Sequence, residues 1–258
     1  MEGDHVSDAV KISEDDRPVR GVPIGDLDTL EAFIGLRGVG KSTYLCERVW
    51  DRVTATPGGC YVVGHSMGPR LPERLPGGGP ILPITYHENV AALDRGLRRH
   101  PERWHIVASD TIPADEVIRY VRRLSLGIRE AVWRRKHLIK RYSTTSRLTG
   151  ERATPICVIV DEGIAVEAGE GGGKTGSNKD SWFKAWLFSL RHEHTALYYA
   201  IQNSNARSWL LVDQATAIHV FRTRHEWALS AIRAGCGATE VQLAQIRELP
   251  RYEHLTFR

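Results

Sequence analysis

Residues 35–42 read Gly35-Leu36-Arg37-Gly38-Val39-Gly40-Lys41-Ser42, followed by Thr43. The spacing is GxxxxGK[ST] in full, the Walker A pattern, and its setting is the one the pattern needs. Glu31-Ala-Phe-Ile-Gly35 is a short apolar strand ending in glycine, and a helix is expected from Lys41 to about Val53. A strand that turns through glycines into a helix N-terminus makes a cradle for phosphate. The glycines let backbone amides curl around the anion, and the helix end adds positive potential. In this reading Gly35, Arg37, Gly38, Val39, Gly40, Lys41, Ser42 and Thr43 hold a nucleotide, ATP, by its phosphates. Lys41 reaches the β- and γ-phosphates and Ser42 binds Mg²⁺. A glycine-rich turn that binds nothing is the competing reading; the strand before it and the helix after it weigh against that.

The complement lies further along the chain. Ile156-Cys-Val-Ile-Val160 is a continuous apolar strand, as expected at the centre of a parallel sheet, and it delivers Asp161 and Glu162 at its end. Asp161 suits the metal, as a Walker B aspartate does, and Glu162 suits a general base that orients or deprotonates water. Such a pair also caps helices, but a complete phosphate loop elsewhere in the chain favours the catalytic reading. Gln202 leaves the strand Ala196–Ile201, where an amide can sense the γ-phosphate or the attacking water; turn chemistry from Asn203, Ser204 and Asn205 is the plainer alternative. Arg191 and Arg207 flank that strand, and either suits an arginine finger; for each taken singly, a surface arginine is the plainer reading.

Working outward, the 258 residues make a single large α/β domain the first expectation. With 41% hydrophobic and 26% charged residues the chain is no wholly disordered polymer. Strand candidates also lie at Cys60–Val63, Ile81–Thr85, His105–Ala108, Ala217–Phe221 and His254–Phe257. Helices are expected at about Glu88–Arg99, Ala114–Tyr142, Ser181–His192, Arg224–Arg233 and Thr239–Ile246, while residues 66–80 and 163–180 read as loops. This alternation points to a largely parallel sheet. No apolar run reaches the length of a membrane span, and the acidic N-terminus has no secretory h-region. Cys46, Cys60, Cys157 and Cys236 are too scattered for a CxxC pair or a disulfide framework, so a reduced intracellular setting is expected.

Charge is unevenly spread. Residues 1–28 hold 3 basic and 8 acidic groups, net −5, and read as a mobile acidic arm. Residues 117–152 hold 11 basic and 2 acidic groups, net +9, which suggests a polyanionic partner or else a solvated helix face. Several near-matches fall away. Ala168–Thr175 lacks the first glycine of a second phosphate loop, Asn178-Lys-Asp-Ser181 fails NKxD, and Asp161-Glu-Gly-Ile164 fails DxxG, which together weigh against a GTPase. His192 and His194 are two apart, on different faces of a helix, and make a poor metal site.

Together Gly35–Ser42, Asp161-Glu162 and the run Ser189-Leu-Arg-His-Glu-His-Thr-Ala-Leu-Tyr-Tyr-Ala-Ile-Gln202 resemble the HerA/FtsK superfamily of P-loop ATPases. The small size and the ending Leu249-Pro-Arg-Tyr-Glu-His254 look most like its viral branch, the genome-packaging ATPases of tailless, membrane-containing icosahedral viruses. The resemblance spans about residues 30–258. It implies an ASCE-type, RecA-like P-loop NTPase, an α/β fold with a central mostly parallel sheet flanked by helices and the Gln202 strand between the two Walker strands. Residues 29–258 would form one ATPase domain, with a basic helical segment at 117–152. The resemblance further implies a homo-oligomeric ring, a hexamer, that drives double-stranded DNA into a capsid. Lys41, Ser42, Asp161, Glu162 and Gln202 match motif positions, with Arg191 as the finger. Viral capsid or vertex proteins would be partners, in the host cytoplasm and at the packaging vertex of the virion. Rival readings are a plasmid- or transposon-encoded FtsK-like transfer ATPase, a Zot-like phage assembly ATPase and a small-molecule kinase. The missing membrane segment counts against the Zot-like reading.

Overall fold

The computed structural model describes residues 30–56, 59–69, 71–124, 155–161, 186–187, 190, 195–201 and 214–257. Eight strands form one sheet: β1 (Leu30–Ile34), β2 (Tyr61–Ser66), β3 (Ile84–His87), β4 (Trp104–Ala108), β5 (Ile156–Val160), β6 (Thr195–Ile201), β7 (Ala217–Phe221) and β8 (His254–Phe257). Their spatial order is β3-β4-β2-β5-β6-β1-β7-β8, and every pairing is parallel except β7 with β8. The strand that enters the phosphate loop, β1, is therefore separated from the strand that ends at Asp161, β5, by β6 alone.

The central strands are apolar on both faces because both faces are covered. On one side α1 (Lys41–Ala55) sets Leu45, Cys46 and Val49 against Phe33, Val62, Ile159, Tyr198 and Phe221. On the other side lie α2 (Val90–Arg99), a helix beginning at 114 and described to 124, α3 (Glu226–Cys236) and α4 (Glu240–Glu248). Their residues Leu93, Val117, Val121, Leu229 and Ile246 pack on Val158, Leu197, Tyr199 and Val220. Local sequence fixes the helix starts. Asn89 caps α2 by accepting from the Ala92 amide, and Thr239 with Gln242 makes a reciprocal capping box on α4. Among the described residues no helix is long and apolar enough to cross a membrane.

Most expected elements stand within two residues of where the sequence puts them, and three boundaries differ by three residues. β2 continues through Gly64 to Ser66, although the sequence reading stops it at Val63. Glycine here is a packing requirement: a Cβ would lie 2.5 Å from the Ile159 carbonyl oxygen and 2.8 Å from the Ile159 Cβ. β3 begins at Ile84 because Ile81 is taken up by an isolated antiparallel bridge to Arg74 inside the Pro/Gly loop. α3 runs on to Cys236, where Gly237 at φ 65° ends it. The expected arm 1–28, the basic stretch beyond 124, the loop 163–180 and most of the 181–192 helix lie outside the described residues.

Candidate functional site

The site grows from the C-terminal ends of neighbouring parallel strands. β1 stops at Ile34, and the Gly35 amide donates to the carbonyl of Ile201 at the end of β6 (3.2 Å). The chain then turns through Gly38 and Gly40, both left-handed at φ 76° and φ 106°. Gly40 is the N-cap of α1, with no side-chain cap and no acidic residue in the first turn. A helix N-terminus left in this state presents its amides and its positive potential to an anion.

Lys41 is buried, 6% exposed, and its Nζ donates to the carbonyls of Gly35 (2.9 Å) and Leu36 (2.7 Å). The ammonium thus lies across the mouth of the loop, within reach of whatever the loop amides hold. Ser42 Oγ donates to Asp161 Oδ1 at 2.8 Å. Those two residues are 119 apart in sequence, and the sheet brings them together at the end of β5. Asp161 is 2% exposed, and its amide donates to the His65 carbonyl on β2 (3.0 Å). A hydroxyl and a carboxylate at this spacing are hard oxygen donors of the kind Mg²⁺ takes. Beside them, Ser66 at the end of β2 is fully buried, and its Oγ has no hydrogen-bond partner among the described residues.

A second cluster, not expected from the sequence, anchors the loop's two arms. Glu31 on β1 is buried and accepts from Arg48 of α1 through both oxygens, Nε at 2.9 Å and Nη2 at 2.8 Å. His219 Nε2 on β7 also meets Glu31, at 3.1 Å, and its Nδ1 meets the Thr256 hydroxyl of β8 at 3.0 Å. Burial pushes the Glu31 carboxyl up, but the hydrogen bonds from His219 and Arg48 outweigh it and hold it down at about 2. Tyr44 of α1 packs on His254 of β8 (ring centres 4.1 Å apart) and edge-on to His219 (5.1 Å). The strand before the phosphate loop and the helix after it are thereby tied to each other and to β7 and β8. The sequence signal was a charged residue inside an apolar strand; its partner His219 lies 188 residues away.

Of the residues singled out in the sequence, Gly35 to Thr43 and Asp161 are assembled at one place. Glu162 and Gln202 directly follow Asp161 and Ile201 in the chain but lie outside the described residues, as do Arg191 and Arg207. Among the described residues no group of three or more His, Cys, Asp or Glu side chains is placed to hold a metal.

No protein-family profile and no curated protein matches the chain. Solved structures do. The genome packaging NTPase B204 from Sulfolobus turreted icosahedral virus 2 in complex with ATP-gammaS matches at TM-score 0.51 and 15% identity, over 89% of this chain and 91% of that one. The same NTPase in complex with sulfate matches at TM-score 0.53 and 15% identity, over 89% and 90%. The DNA-packaging ATPase B204 from Sulfolobus turreted icosahedral virus matches at TM-score 0.50 and 16% identity, over 89% and 91%. This chain therefore has an α/β P-loop NTPase fold.

Proposed function

We propose that this protein is an ATP-hydrolysing translocase of double-stranded DNA that packages a viral genome into a capsid. The observation that carries the proposal is the Ser42–Asp161 bond at the mouth of a complete phosphate loop, on a sheet whose fold matches a viral packaging NTPase over nearly the whole of both chains. Residues 29–258 act as one ATPase domain, residues 1–28 as an acidic arm, and the basic stretch 117–152 meets DNA phosphate or a neighbouring subunit. The working unit is a homo-oligomeric ring, a hexamer, docked on capsid or vertex proteins in the host cytoplasm and at the packaging vertex.

In this account the amides from Gly38 to Thr43 hold the ATP phosphates. Lys41 gives up its two carbonyl partners for the β- and γ-phosphate oxygens. Ser42 and Asp161 would hold Mg²⁺, which would supply positive charge against the negative charge that develops in phosphoryl transfer. Their hydroxyl and carboxylate already lie within hydrogen-bond distance, so the donor set fits the ion. Glu162 accepts the proton of the attacking water. Gln202, directly after the strand between the two Walker strands, reports the γ-phosphate to the rest of the subunit, and Arg191 supplies positive charge to a neighbour's site. The rigid anchorage through Glu31, Arg48 and His219 keeps the loop preformed.

ATP turnover measured with and without double-stranded DNA, on protein whose oligomeric mass is determined in the same sample, tests this. Stimulation by DNA in a ring-sized assembly supports the proposal. ATP turnover by a monomer indifferent to DNA contradicts it.

A further inference from the structure

The turn before β8 carries a tyrosine in a backbone conformation that tyrosine avoids. Tyr252 has φ 71° and is the one non-glycine residue with positive φ among the described residues. A bulky side chain there is strained, and such strain gathers at ligand clamps. The conformation is held from both sides. The Tyr252 amide donates to the Val39 carbonyl of the phosphate loop at 2.8 Å. Its ring fills the space beside Gly40: a Cβ on that glycine would lie 2.4 Å from Tyr252 Cδ1 and 3.1 Å from its Cα. Gly40 therefore serves two ends, the left-handed turn into α1 and the close approach of this ring.

The ring is not used up by these contacts. Tyr252 remains 52% exposed, one of three large hydrophobic residues this open among the described residues. The guanidinium of Arg251 lies 4.7 Å from its centroid. A flat cation on an aromatic ring, half open to solvent, at the rim of a loop built for phosphates is a surface suited to an aromatic group attached to those phosphates. Stacking on tyrosine and on guanidinium planes is how proteins hold bases without reading their edges. We propose that Arg251 and Tyr252 form the platform on which the purine of the bound nucleotide stacks, so that the β8 turn supplies base affinity while the loop supplies phosphate affinity.

This inference rests on the nucleotide reading of the phosphate loop, and its test keeps the two apart. Full-length protein is titrated calorimetrically, with Mg²⁺, against ATP and separately against inorganic tripolyphosphate. The variants are Tyr252→Gly, Tyr252→Phe and Lys41→Ala. Glycine tolerates the left-handed backbone, so Tyr252→Gly removes the ring without adding strain, and its thermal melt checks the fold. The expected result is an ATP affinity lowered about 5- to 150-fold in Tyr252→Gly, the range of a lost stacking contact. Tripolyphosphate affinity stays as in the wild type, and Tyr252→Phe keeps both. Equal loss of both ligands would overturn the platform and make Tyr252 a support of the loop alone. Unchanged ATP binding would also overturn it. If the wild type binds neither ligand, or Lys41→Ala changes neither, the nucleotide reading itself fails and the platform falls with it.

Discussion

Replacing Glu31 with Gln keeps the size of the side chain and removes the charge that Arg48 and His219 share. Glu31 is 2% exposed, so solvent does little to screen its interactions. Its partners hold the carboxyl at about 2, against 4.5 for an ordinary glutamate. At about 1.4 kcal/mol per pH unit, that difference contributes about 3 kcal/mol at neutral pH. The sign follows from proton binding. The folded pKa is depressed, so the contribution is complete above pH 4.5 and is lost as pH falls from there toward 2. Losing the charge leaves buried His219 facing a neutral group, while Arg48, 37% exposed, regains water, which points to a loss somewhat below that figure. Urea unfolding of wild type and Glu31→Gln at a series of pH values is the assay. The expected gap is about 2–3 kcal/mol at pH 7, narrowing steadily below pH 4.5. A gap that stays constant from pH 7 to pH 3, or one under about 0.5 kcal/mol at pH 7, would refute the reasoning.

Three further outcomes follow from the site. Lys41→Ala should abolish ATP turnover while far-ultraviolet circular dichroism and the melting temperature stay close to wild type; normal hydrolysis would remove the phosphate-loop assignment. Glu162→Gln should leave nucleotide binding intact and lower turnover by about 10²–10⁴-fold, the range of a positioned general base; equal loss of binding would make Glu162 a structural or metal-site residue. Mixing Arg191→Ala with Glu162→Gln should restore part of the activity when subunits exchange, because some interfaces then pair an intact Arg191 with an intact Glu162. No rescue, with exchange verified by labelled protein, assigns Arg191 elsewhere and makes Arg207 the next residue to test.

The parts of the fold legible in the sequence are those set by local pattern. β5 and β7 are short apolar runs flanked by polar or turn residues, and their bounds coincide with the expected ones. The strand-glycine-helix sequence around Gly35 to Ser42 announces both an element order and a binding geometry, because few other chemistries need that set of residues. β2 shows where local pattern stops. His65 and Ser66 are polar yet buried, and Gly64 reads as a break although it is a packing point against Ile159. The pairing of β2 with β4 and β5 is likewise set by contacts distant in the chain, which periodicity does not encode.

Within the site the same division holds. Ser42 and Asp161 were identifiable separately because each stands in a motif; that their side chains share a hydrogen bond is a product of the sheet order. Glu31 carried a weak signal, a carboxylate within an apolar strand, but its meaning depends on Arg48 and His219, on two other elements. Tyr252 carried none, since nothing in Leu249-Pro-Arg-Tyr-Glu-His254 indicates that its backbone is left-handed or that its amide reaches Val39.

The most direct test of the proposed motor is displacement of a third-strand oligonucleotide from linear double-stranded DNA. Wild-type protein with ATP and Mg²⁺ should strip the third strand when the duplex leaves room to load, and Lys41→Ala or a non-hydrolysable ATP analogue should not. Robust ATP hydrolysis that leaves the triplex in place, on DNA the protein demonstrably binds, would contradict the account.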